Sequence, residues 1–72
     1  MDVSNRHPST QHVARYFADE HLPPHLQAVS LPTAELAEEM ITTLPDGPEL
    51  TAGLRKLLEA KDCFVRAALP EP

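Results

Sequence analysis

One cysteine, Cys63, stands in a chain of 72 residues, so no disulfide can close within the chain. A reduced, cytoplasmic setting is the simpler expectation. Two glycines leave no glycine-rich loop to cradle a phosphate. Tryptophan is absent, and the aromatics are Tyr16, Phe17 and Phe64 alone. No run approaches the roughly 18 apolar residues of a membrane span, and the first residues lack the basic and apolar regions of a secretory signal. Six basic residues against eleven acidic ones give a net charge of −5, which argues against DNA or RNA polymers as partners.

Proline is what the chain has in plenty: eight residues, which points to stiff junctions between elements. A chain of this length buries only about 60% of the surface its unfolded form exposes. Scaffolds this small add disulfides, a metal or partner chains. With an internal disulfide excluded, self-association is the economical way to complete the core.

Residues 1–50 carry eight acids against Arg6 and Arg15, whereas residues 51–72 carry Arg55, Lys56, Lys61 and Arg66 against three acids. Residues 24–47 hold no Lys or Arg. A site for an anion should therefore draw on the last third of the chain.

The patterning predicts an all-α fold. Residues 1–11 are polar and read as a mobile arm, followed by a single domain over 12–69 and a tail at 70–72. His12 to His21 suits a short amphipathic helix or extended chain, interrupted by Pro23 and Pro24. Leu26, Val29, Thr33, Leu36, Met40 and Leu44 then recur at steps of 3 and 4, with Ala37 and Ile41 widening the stripe. The phase survives Pro32, which favours one helix over about 25–44 kinked at that proline. The rival is two helices, the second capped by Ser30. Asp46 and Glu49 fit the start of a last helix over about 48–68, with Pro70 as its stop. Leu50, Leu54, Leu57, Leu58, Phe64, Val65, Ala68 and Leu69 form its stripe. A connection this short makes the two long helices an antiparallel hairpin. Both stripes are wider than one partner helix can cover, so a homo-oligomer is expected.

Lys61 lies inside the apolar stripe. Its stem can pack while the ammonium reaches solvent, it can enter an ion pair, or it can meet a phosphate between subunits. Arg55–Glu59 and Asp62–Arg66 are i,i+4 pairs on a solvated face, and Arg55 or Arg66 has donors left for a phosphate or planar ligand. Tyr16 either caps the apolar face or stacks on a base, while its neighbour Phe17 packs. His21 and His25 are four apart, but Pro23 and Pro24 break the helical geometry a metal would need. No metal or cofactor is expected. Glu38 and Glu39 diverge on a helix, and Cys63 has no evident general base, so an enzyme is not expected either.

The run from Leu44-Pro45-Asp46-Gly47-Pro48-Glu49 through Leu54-Arg55-Lys56-Leu57-Leu58-Glu59-Ala60-Lys61-Asp62 to Arg66-Ala67 resembles the helical-hairpin domain of phage anti-CBASS and anti-Thoeris proteins. The segment from Phe17 to Pro23 and the helix after it are similar to that domain's first half. The resemblance spans residues 15–69. It implies a phage immune-evasion protein in the bacterial host cytoplasm, a sponge that binds and sequesters a cyclic di- or trinucleotide or a cyclic ADP-ribose-type messenger without cleaving it. It also implies a homohexamer with ligands held between subunits. On this reading Tyr16, Phe17, His21, Arg55, Lys56, Lys61 and Arg66 are the candidate ligand contacts. The alternative is a protein-interaction module, such as a phage adaptor or regulator, without a nucleotide.

Overall fold

The computed structural model describes residues 1–70; Glu71 and Pro72 of the expected tail lie outside the described residues. The chain is all-helical: α1 spans Pro8–Ala14 and tightens into a 3-10 turn over Arg15–Phe17, α2 spans Pro24–Thr43, and α3 spans Pro48–Ala67. Each helix opens on a proline, whose fixed φ suits the first turn and whose missing N–H has no intrahelical partner there anyway. The molecule measures 41 × 19 × 17 Å, long in the direction of its two 20-residue helices.

Helix α2 runs through Pro32 as one element, so the two-helix alternative does not hold. Pro32 cannot donate to the Ala28 carbonyl. Around it the hydroxyls of Thr33 and Ser30 donate back to the carbonyls of Ser30 and Gln27, at 2.6 and 3.4 Å. Ser30 is therefore buried inside the helix rather than capping one, and its single hydroxyl proton is shared between the Gln27 carbonyl and, at the shorter 3.1 Å, an Asp19 carboxylate oxygen in the loop before α2.

Helix α1 starts at Pro8, four residues ahead of the expected segment, so the second half of the expected arm is ordered structure. The His7 ring caps it, its Nδ1 accepting the Ser9 N–H at 3.1 Å. Thr10, Val13, Ala14 and Phe17 are all buried, at positions i, i+3, i+4 and i+7 of one helical face.

The core joins Val13, Ala14 and Phe17 to Ala37 and Ile41 of α2 and to Leu50 and Leu54 of α3. Burying each of the larger side chains contributes about 1.5–3 kcal/mol. The observed buried face of α2 is Leu26, Ser30, Thr33, Ala37 and Ile41; all but Ser30 belong to the expected stripe, and it is the Ala37–Ile41 edge of that stripe that meets the core. Leu36 and Leu44, expected inside, are exposed, and so are Phe64 and Leu69 of the α3 stripe.

Asp46 does not cap α3; Gly47 takes that position in extended conformation without a side-chain bond. Instead Asp46 holds the N-terminal segment. Its carboxylate accepts from Arg6 Nε at 3.1 Å, the His7 N–H at 3.1 Å and the Thr10 hydroxyl at 3.0 Å. Arg6 also donates to the carbonyls of Ile41 and Leu44, the latter at 2.8 Å. These groups sit at the C-terminal end of α2, which has no basic residue in its own last turn. Partial desolvation pushes the Asp46 carboxyl up, but the bonds from His7, Thr10 and Arg6 outweigh it and hold the carboxyl below the usual carboxylate range.

Candidate functional site

Two places on this scaffold offer binding chemistry: a cationic corner where the loop before α2 meets the C-terminal half of α3, and an apolar groove between α2 and α3.

The corner is built on Lys61. Its position in the apolar stripe of α3 buries it to 6% exposure, and its Nζ donates to the Tyr16 carbonyl at 2.6 Å. The ammonium also stands 5.9 Å from the centre of the Phe17 ring, a cation–π contact. Lys61 thus neither reaches bulk solvent nor forms an ion pair. It fastens the 3-10 turn to α3, and an ammonium with three donors has given one of them to Tyr16. His21, Leu22, Lys61, Asp62, Val65 and Arg66 line a cavity of about 190 Å³ beside it. His21 and Arg66 are exposed, and Arg66 Nη2 points to Cys63 Sγ at 3.5 Å rather than to Asp62. The Tyr16 ring is half exposed, edge-on to His12 with centroids 5.7 Å apart and the Arg15 guanidinium 5.3 Å from its centre.

The structure therefore brings His21, Lys61 and Arg66 together, with Tyr16 joined to them through its carbonyl. It does not bring in the other three. Phe17, expected at the ligand, is 2% exposed and is a ring of the core, because the 3-10 turn aims it inward between α2 and α3. Arg55 lies near the start of α3 beside His7 and Asp46, about 16 Å along the helix from Arg66. Lys56 is exposed and does not line the cavity. Neither expected i,i+4 ion pair of α3 forms: among the described residues the salt bridge is Arg6–Asp46, at 3.1 Å.

The groove runs between Leu36, Met40 and Leu44 of α2 and its C-terminal end and Leu50, Gly53, Leu54 and Leu57 of α3, with Glu49 at one end. Its volume is about 300 Å³ and its walls are almost wholly apolar. The packing signal for it was present in the sequence as the excess width of both stripes, but not which residues would be left on the open side.

Among the described residues no group of three or more His, Cys, Asp or Glu side chains is placed to hold a metal ion, and no helix is long and apolar enough to cross a membrane. No protein-family model, characterised protein or solved structure matches the chain.

Proposed function

We propose that the chain is a non-catalytic binding protein that self-associates and sequesters a cyclic di- or trinucleotide, or a cyclic ADP-ribose-type anion, between its subunits. The observation that carries this reading is the corner itself. His21 from a loop and Lys61 and Arg66 from α3 line one cavity, and Lys61 is tied through the Tyr16 carbonyl to a residue whose own side chain is half exposed. Cations supply the phosphate contacts and the ring a stacking face. A cavity of about 190 Å³ is below the range of about 300–1,000 Å³ that encloses a small molecule, and on this reading a second subunit supplies the remaining wall. The resemblance of residues 15–69 to the cyclic-nucleotide sponges points to the same class of ligand and to a phage immune-evasion role.

Isothermal titration against a panel of cyclic di- and trinucleotides and cyclic ADP-ribose isomers tests it. Heat from one of them, lost in Arg66→Ala and His21→Ala with assembly intact, is the expected result. No heat from any of them, with the assembly confirmed, overturns it. Lys61→Ala is a poor probe because it also releases the Tyr16 turn.

The apolar groove favours a second reading, a helical interaction module without a nucleotide ligand. A monomer by light scattering at tens of micromolar, silent toward the panel, supports that reading over the first.

A further inference from the structure

Gly53 sits inside α3, where glycine weakens a helix relative to alanine. Nothing within the chain calls for it: a Cβ at this position would meet no atom within 4 Å. It forms part of the apolar groove, with Leu36 and Met40 across from it and Leu57 one turn further along its own helix.

We propose that the groove is filled by a second copy of the chain, the two α3 helices crossing antiparallel at Gly53 about a two-fold axis. This rests on the self-association part of the reading above, and specifies its geometry. Three observations converge on this occupant.

The first is surface. The chain exposes 4946 Å². A folded monomer of 7.9 kDa exposes about 4,400 Å². At the groove itself Leu36 and Leu44 are 44% and 43% exposed, apolar surface that a partner would cover.

The second is the backbone. A residue without a side chain at a helix crossing lets the partner's main chain approach closely, and Gly53 has no other use for that space.

The third is charge. Glu49 and Lys56 are seven residues apart and so lie on one edge of α3, on either side of Gly53. In an antiparallel pair centred at Gly53, Glu49 of each copy comes within about one residue of standing opposite Lys56 of the other. The ion pair then forms twice. A parallel two-fold pair would put this edge of the two helices on opposite sides of the seam and form neither ion pair, so the charges favour the antiparallel order. Such an arrangement is self-complementary, which is what a two-fold interface requires and a foreign partner does not.

The test is sedimentation of the full chain without ligand over a range of concentrations, with circular dichroism to confirm helix content. Wild type associates. Gly53→Leu keeps its helix content, because the added side chain points into open space in the monomer, and raises the dissociation constant by about tenfold or more. Gly53→Ala raises the thermal midpoint at the lowest concentration while weakening association, a split that a purely intramolecular role for the glycine would not give. Glu49→Lys and Lys56→Glu each weaken association severalfold, and the double exchange restores it. Association unchanged by Gly53→Leu, or a double exchange no better than the single ones, overturns the proposal. So does a wild-type monomer at every concentration. A chain that associates through Gly53 yet gives no heat with nucleotides leaves this interface standing and removes only the ligand reading.

Discussion

The two sides of the α2–α3 pair are finished in different ways. On one, the N-terminal segment lays Val13, Ala14 and Phe17 across both long helices, and two polar fastenings hold it there: Arg6 with Asp46, and Lys61 with the Tyr16 carbonyl. On the other, Leu36, Leu44 and the Gly53 backbone border an apolar groove that the chain itself does not fill. A small chain has enough sequence to close one side of a helical hairpin, and the contrast separates residues that hold the monomer together from residues available to a partner.

The largest expected effect is on the closed side. Phe17→Ala empties the centre of the core, and such truncations cost about 3–5 kcal/mol. For a domain this small that is enough to abolish the cooperative urea transition followed by circular dichroism. Arg6→Ala comes next. It removes the charged caps from the Ile41 and Leu44 carbonyls, a loss of about 2 kcal/mol, and frees residues 1–10 to exchange their amide hydrogens rapidly. If those amides stay as protected as in the wild type, the Arg6 clamp is not what holds the segment.

Acid provides a graded version of the same break. The Asp46 carboxyl lies below its ordinary value in the folded chain, so the stability it contributes is complete above the unfolded value of 3.8 and is lost as pH falls through the lower folded one. The stability difference between wild type and Asp46→Asn should therefore be flat near neutrality and close below pH 3.8. The smallest effect on the monomer falls on the open side. Leu36→Gln should change monomer stability by no more than about 0.5 kcal/mol while reducing association, read from the same sedimentation series. A large loss of monomer stability there would erase the distinction between the two sides.

The long helices were legible because their signals are strong and local: prolines at both starts, apolar residues at steps of 3 and 4, and a four-residue connection. The direction of their faces was not. A stripe made of Val29, Leu36, Met40 and Leu44 beside Ala37 and Ile41 is wide enough for two neighbours, and periodicity alone does not say which edge meets the chain's own core. The start of the first helix was hidden because the first position on its buried face is Thr10, a residue that does not register as apolar. Asp46 was misread for a related reason. Capping is a local rule, whereas its real partners are some 40 residues away in sequence. Of the candidate site, the unusual place of Lys61 was readable from its apolar neighbours. Its partner, a backbone carbonyl in another element, leaves no trace in residue identity.

The Asp46 clamp also sets an order of events during synthesis. Arg6, His7 and Thr10 find their acceptor at a residue 40, 39 and 36 positions later in the chain. At about 5–20 residues per second, the first helix emerges from the ribosome seconds before its anchor does. Val13 and Phe17 have no core to enter until α2 is complete and the turn after it has emerged. The segment made first is thus among the last to settle, and α2 waits for it to receive the cation at its own C-terminal end.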